Sequence, residues 1–411
     1  MDHDATEGCT PAAPRGRERD VTSTSPAPRA PLGVADPVRL LRSWTPGSGS
    51  WFSGPAGSLR TRGVLARLPS GDADAVLRRL RDLGDRAVAV GALPYDPAGD
   101  AHLVVPEHVE RADPLGAVLV AGPGTSPVAG TARPIPAPAA YEAMVGEALA
   151  RMAAGGLDKV VLARVLEVVA DGPVDAVPML RELARRDPRS YLFAVDLPPE
   201  RAGTPRTLLG ASPELLLSRR GSTVTANPLA GSAARSSDRD EDRRRGEALL
   251  ASAKDRHEHA LVVADVAERL RPLVDDLEVP EEPSLVRTPT LWHLSTTVRA
   301  RATDRDASAL HLAQALHPTP AVCGVPRAAA HTAITEIEPF DRGFYTGAVG
   351  WTDARGDGEW VMALRCGEVQ GDRVRLWAGA GIVPASRPAD ELAETGVKLR
   401  TLLDALGLDE A

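Results

Sequence analysis

The chain has 411 residues, is 43% apolar and carries a formal net charge of −8. That length holds two or three average domains or one large α/β or α+β domain, and the acidic balance weighs against a protein that grips a phosphate backbone through a basic patch. Three widely spaced cysteines, Cys9, Cys323 and Cys366, make neither a disulfide framework nor a CxxC metal pair. A reducing cytoplasm is the compartment this implies. No run approaches the ~18 apolar residues of a membrane helix, and the opening MDHDATEG lacks the basic-then-apolar order of a signal peptide.

Residues 1 to about 36 are rich in Pro, Ala, Arg, Ser and Thr and read as a disordered tail. Order is expected to begin near Ser50-Trp51-Phe52, so the tail is placed at 1–47 and the folded domain at 48–411. Within it the N-terminal portion runs from 48 to 130 and the core from 139 to 411. Residues 73–83 have helical periodicity, 86–92 read as a strand, and Leu93-Pro94-Tyr95-Asp96 as a turn. A Pro- and Gly-rich stretch, 121–139, marks a connection. Tyr141 to Ala154 predicts a helix and Lys159 to Val169 a strand with lysine at its start. Residues 208–217 read as a strand broken by a Gly-Ala-Ser-Pro turn. The charge run 235–245 is expected to be solvated, and 246–275 to form one long amphipathic helix. Val361 to Cys366 and Val374 to Ala378 predict a β-hairpin about Gly371-Asp372, with Arg365 on the strand face of Val361 and Ala363. A glycine segment, Gly379-Ala380-Gly381, follows. Then Glu391, Glu394 and Lys398 fall on one side of a predicted helix, beside an apolar stripe that ends at Leu406.

Several of these groups have an ordinary reading. Glu394 and Lys398 at i, i+4 match a surface ion pair. His257-Glu258-His259 looks like a metal triplet, but positions i and i+2 of a helix point about 200° apart, so the histidines cannot share an ion. Glu258 has Leu261 and Val262 on its face, which leaves a buried structural acceptor or a metal ligand as its two roles. GASPE fails as a nucleophile elbow because Glu214 stands where glycine is needed.

Taken together, LDKVVLAR (157–164), GASPELLL (210–217), NPLAGSAAR (227–235), KDRHEHALV (254–262), TPTLWHL (288–294), LHPTPAVCG (316–324), EPFDRGFYTGAVGW (338–351), EWVMALRC (359–366), WAGAGIVPAS (377–386) and ETGVKL (394–399) resemble the chorismate-utilising enzymes. Among these the chain looks most like isochorismate synthases of the catecholate-siderophore branch, and the likeness runs from about residue 48 to 411.

The resemblance implies a fold of two mainly antiparallel sheets packed face to face, with helices outside and the site in the cleft between. It implies isomerisation of chorismate to isochorismate with Mg2+: water adds at C2 and the C4 hydroxyl leaves. By motif position Lys159 corresponds to the general base and Glu214 to the general acid. Glu258 and Glu394 correspond to the Mg2+ ligands, and Gly231, Ser232, Ala321, Arg365, Gly379 and Lys398 to the substrate-binding set. A lysine base must be shifted down and a carboxyl acid shifted up, and burial does both. Charges balance in such a site, since a divalent cation, Arg365 and Lys398 offset a dianionic substrate and two glutamates. Aminodeoxychorismate synthases usually carry lysine where this chain has Ala230. Anthranilate synthases work with a glutaminase subunit, and neither that partner nor nucleic acid or membrane is expected here. Salicylate synthase, which goes on to eliminate pyruvate, is the alternative on the same scaffold. A cytoplasmic monomer is expected.

Overall fold

The chain is described in a computed structural model, which covers residues 35–68, 71–115, 127–303 and 307–408. Most of the tail placed at 1–47 lies outside the described residues, as do 121–126 of the expected connection. The part of that tail that is described is not disordered. Asp36 accepts a hydrogen bond from the Val38 amide and starts helix Pro37–Ser43, which buries Leu40, Leu41 and Trp44. A short amphipathic turn with few apolar residues gave no periodic signal, yet it closes the core over its neighbouring strands.

Two large sheets make the body. The first runs, in spatial order, through Gly324–Val325, Lys159–Ala170, Arg373–Ile382, Cys366–Gln370 and Arg206–Ser212, then Tyr191–Leu197, Trp51–Gly54, Gly57–Arg62 and His108–Ala112. The second runs through Val274–Glu278, Val298–Ala302, Thr223–Asn227, Leu215–Arg220 and Gly358–Met362, then Ala348–Asp353, Val88–Leu93, His102–Val105 and Ala66–Leu68. A third, small sheet joins Leu229–Ala234, Leu291–Ser295 and Ser284–Arg287. The strand pairs among the described residues are antiparallel.

The inner faces of the two large sheets meet in one apolar layer built by Phe52, Phe193, Val165 and Trp377 from one side and Val90, Val349, Trp351 and Val361 from the other. Helices cover the outer faces. Pro37–Ser43, Ala176–Arg186 and Pro388–Leu406 bury Leu41, Leu180 and Leu402 against the first sheet. Ala73–Leu83, Ala253–Leu270 and Ala309–Leu316 bury Leu80, Val266 and Leu312 against the second. Strands covered on both faces read as nearly continuous apolar runs, which is why Lys159–Ala170 is legible in the sequence. The face-to-face antiparallel architecture is as the resemblance implies.

Four local expectations are corrected. The apolar run Val361 to Cys366 is not one arm of a hairpin. Gly358–Met362 belongs to the second sheet, and the hairpin about Gly371-Asp372 is made by Cys366–Gln370 and Arg373–Ile382 in the first. The long helix at 246–275 is two helices, Arg239–Ala251 and Ala253–Leu270. Ser252 stands between them and caps the second through the Asp255 amide. The connection at 121–139 contains a strand, Gly130–Ile135, paired to Lys159–Ala170. The charge run is only partly solvated, since Asp242 is buried and bound by Nε and Nη2 of Arg235 and by the Trp292 indole.

Candidate active site

The cleft follows from strand alternation. On Lys159–Ala170, Val160 and Leu162 pack outward against helices, so Lys159, Val161, Ala163 and Val165 point between the sheets. The partner strand is in register, with Gly381 opposite Val161, Gly379 opposite Ala163 and Trp377 opposite Val165. Its cleft-facing series is therefore Trp, Gly, Gly. A Cβ at Gly381 would lie 2.6 Å from Glu258 Oε1 and 3.2 Å from Lys159 Cε. The two glycines leave the cleft floor bare where the charged groups converge.

Two bends supply the next groups. Arg206–Ser212 lies in the first sheet and Leu215–Arg220 in the second, so the break in GASPELLL is a crossing from sheet to sheet at Pro213-Glu214. The neighbouring chain crosses in the opposite direction at Ala363 to Arg365. The crossings are tied together, since the Ala211 amide donates to Arg365 O at 3.1 Å and the Met362 amide to Glu214 O at 3.1 Å. Arg365 takes φ 47°, an uncommon backbone state for a non-glycine residue. It is therefore not on the strand face of Val361 and Ala363; the crossing, not the alternation, aims it into the cleft. Thr346, also in the cleft wall, takes φ 59°. Strained backbone of this kind concentrates at functional sites.

Glu214 is 3% exposed. Burial pushes its carboxyl up to about 8, against the pull of the Leu229 amide and the charges of Lys159 and Lys398. A carboxyl in that state holds its proton at neutral pH and can donate it. Arg365 is half-buried in the same wall, and desolvation there lowers its guanidinium, with Tyr345 and Glu394 opposing.

Helices Ala253–Leu270 and Pro388–Leu406 bring the acids. Lys159 Nζ lies 2.9 Å from Glu258 Oε1 with both side chains largely buried. The contact is charge to charge, because its angles miss hydrogen-bond geometry. Glu394 Oε1 meets Lys398 Nζ at 2.6 Å and accepts from Ser232 at 3.1 Å. Lys398 also donates to Gly379 O at 2.8 Å. The Glu394–Lys398 pair is thus a cleft pair rather than a surface one. Burial raises the Glu394 carboxyl, but Lys398, Ser232 and Arg365 outweigh it and hold it below its usual range. Gly231 at φ 73° and Ala321 complete the lining. Nine of the ten residues given a role by motif line one cleft, and the tenth, Lys159, is buried against one of them, Glu258.

Other residues there were given no role by motif. Asp255, and Glu391 from the helix side it was expected to share with Glu394 and Lys398, join the acids. Burial raises Asp255, with Glu258 and Glu394 adding to the shift, and burial raises Glu391, with Glu394 adding. Ser252-x-x-Asp255 is a helix-start signal that could have placed Asp255 on the first turn. His293, in TPTLWHL, is held well down by burial, to about 3, and its ring bonds the Gly231 backbone. Its Nε2 is buried with no partner among the described residues. His257 is exposed, while His259 is buried against Thr296 Oγ1 at 2.7 Å.

The donor set suits a hard divalent cation. Four carboxylates and a hydroxyl crowd one side of the cleft, where the charges of Glu258 and Glu394 add to the burial that raises Asp255 and that of Glu394 to the burial that raises Glu391, a crowding of charge that a cation there relieves. Among the described residues no three acidic, histidine or cysteine side chains converge into a protein-only metal cage. Mg2+ fits that pattern, since it takes oxygen ligands, keeps waters and uses one or two protein carboxylates with substrate oxygens.

The chorismate binding enzyme family matches residues 120–407. Isochorismate synthase DhbC of Bacillus subtilis is 45% identical over 383 residues, which is 90% of this chain and 96% of that one. Isochorismate synthase EntC of Escherichia coli K12 is 44% identical over 324 residues, 78% of this chain and 81% of that one. The structure of MenF, the menaquinone-specific isochorismate synthase of Escherichia coli, superposes with a TM-score of 0.80 at 28% identity, covering 92% of each chain.

Proposed function

This chain belongs to the chorismate-binding enzyme family and is an isochorismate synthase, an isomerase, and from that premise we propose that Lys159 and Glu214 are its base and acid. The observation that carries the assignment is one buried amine held against the cleft residue Glu258 and one buried, proton-holding carboxyl lining the same cleft. Lys159 must first give up to solvent the proton of its ion pair with Glu258; as the free amine it then takes a proton from the water that attacks C2 of chorismate. The ring double bonds shift, and Glu214 gives its proton to the departing C4 hydroxyl, which leaves as water. Both groups then reset by exchange with solvent, and in the reverse reaction they exchange roles.

Glu258 and Glu394 would hold Mg2+, with Asp255 and Glu391 lining the same side of the cleft. When bound, the ion supplies positive charge for the ring carboxylate. Arg365 offers a planar fork to the other carboxylate, and Lys398 fixes Glu394 and the Gly379 carbonyl. Gly231, Ser232, Ala321 and Gly379 shape the walls around the ring. We read the product as destined for 2,3-dihydroxybenzoate and siderophore synthesis, a reading supported by a 43% identical structure named as a putative 2,3-dihydroxybenzoate-specific isochorismate synthase, DhbC from Bacillus anthracis. The reading is of a cytoplasmic monomer that needs no glutaminase subunit. Among the described residues no helix is long and apolar enough to cross a membrane.

The test is the product formed from chorismate and Mg2+ without ammonia. A chorismate–isochorismate mixture, equal in mass and separable by chromatography, is expected, and added isochorismate should return chorismate. Pyruvate rising in step with chorismate loss, with salicylate as the main aromatic product, would instead make the chain a salicylate synthase.

A further inference from the structure

Trp377 occupies one end of the Trp, Gly, Gly series on the cleft floor. Its side chain is 5% exposed and lies in the cleft wall. The ring stacks on Tyr345 with centroids 5.8 Å apart and planes at 10°. Its Nε1 is fully buried and has no hydrogen-bond partner among the described residues. A buried indole N–H normally finds an acceptor, because leaving it unmet is costly. Trp44, Trp292 and Trp360 follow that rule, donating to Gly49 O, Asp242 and Thr352 Oγ1; Trp51 also lacks an acceptor, but it lies in the core and not in the cleft wall.

Position along the strand says what the acceptor is. Trp377 and Gly381 share a face four residues apart, which at ~3.3 Å per residue is roughly 13 Å. Lys159 Cε and Glu258 Oε1 lie against Gly381. Trp377 therefore sits at the end of the cleft away from the base and the proposed metal. Tyr345, stacked on Trp377, is close enough to Arg365 for each to bias the other's proton affinity. Trp377, Tyr345 and Arg365 form one end wall, with donors and no carboxylate of their own.

We propose that the Trp377 indole N–H is a substrate-positioning donor that binds the carboxylate of the enolpyruvyl side chain of chorismate, beside Arg365. This rests on the chorismate reading above, with the ring carboxylate directed to the metal end. A substrate whose ring carboxylate is held at one end presents its side-chain carboxylate to the other. The N–H is a neutral donor, so it adds direction without adding charge to a site that is already balanced. The stack on Tyr345 fixes the plane of the indole and hence the line of its N–H.

Trp377→Phe keeps a ring for the stack and removes only the donor. Because Nε1 has no partner in the free protein, the variant should melt within a degree or two of the parent. Its KM for chorismate should rise roughly ten-fold or more, as for loss of a hydrogen bond to a charged group, with kcat changed far less. In a second measurement the indole N–H signal of Trp377, identified in 15N spectra by its loss in Trp377→Phe, should move downfield when chorismate and Mg2+ are added to the inactive Glu214→Gln variant. An unchanged KM, or an indole signal that does not respond to bound chorismate, overturns the proposal. If the parent neither binds nor converts chorismate, the functional reading itself has failed, and the two failures are thereby distinct.

Discussion

Lys159 Nζ and Glu258 Oε1 are 2.9 Å apart, so the proposed base and a proposed metal ligand form one buried ion pair. Each holds the other's charge in a place where an unpaired charge is expensive. Glu258→Gln should leave a largely buried ammonium without its counter-ion and lower stability by about 3–5 kcal/mol, while turnover falls at least a thousand-fold. Urea unfolding and a chorismate assay check both. Full turnover in Glu258→Gln would remove the glutamate from the site.

Metal removal gives a second expectation. Two carboxylates already engaged by lysines cannot hold Mg2+ tightly without substrate oxygens. EDTA should abolish turnover, and excess Mg2+ should restore it fully. Glu394→Gln should fold and show no restoration. Undiminished activity in metal-free buffer would exclude the Mg2+ role.

A third concerns pH. Glu214 must carry its proton to act as acid, and burial holds that proton up to about pH 8. The rate should fall as pH rises through about 8, and Glu214→Gln should be inactive at every pH. The sign for stability is the reverse of that for a salt-bridged carboxylate. The folded state holds the proton more tightly than the unfolded chain, so the stabilisation is complete below the ordinary 4.5 and is lost as pH rises to about 8. Through that window the parent should lose about 1.4 kcal/mol per pH unit relative to Glu214→Gln. Parallel stability curves for the two proteins would show that Glu214 is ordinary.

Arg365 offers two separable effects. Arg365→Lys keeps a cation but loses the planar fork, and should weaken chorismate binding by roughly 2 kcal/mol, read as KM. Backbone strain is read by a different comparison. At φ 47°, Arg365→Gly should be about 1 kcal/mol more stable than Arg365→Ala, because glycine takes that conformation freely. Equal stability of the two would show no strain.

Helix Pro37–Ser43 should matter despite its place near the start of the chain. Leu41 and Trp44 are 1% and 0% exposed. Leu41→Ala and Trp44→Ala should each cost about 2–5 kcal/mol, seen in thermal melts. Losses near zero would mean that the helix is not docked in solution.

Much of this was legible because local and global signals agree. Helix Ala73–Leu83 is where its periodicity puts it, with Asp72 as cap. Lys159–Ala170 is announced by unbroken apolar burial on both faces. The site residues were placed by motif rather than by periodicity. What stayed hidden depends on partners distant in sequence. Leu215 pairs with Val361 while Gly210 pairs with Cys366, so the run from Val361 to Cys366 spans two sheets and no alternation in it could show that. His293 is a single polar residue inside an apolar strand, and only its neighbours on other elements reveal that it opens on the cleft. Asp242 looked like one charge among many until Arg235 and Trp292 folded onto it.

The two chain segments that cross between the sheets, Arg206 to Arg220 and Gly358 to Gln370, cross side by side and hydrogen-bond to each other above, at and below the bend. They act as a covalent brace. The sheets cannot part like the covers of a book without tearing a ladder on one side of the bend or the other, so the gap between them is a constant of the chain. Traffic of substrate and product therefore falls to the rim, where Lys254 on one helix and Glu391 on another stand 3.7 Å apart. In a pair that loose the half-exposed Lys254 can swing off the buried Glu391 on the timescale of side-chain motion while the chemistry beneath keeps its dimensions.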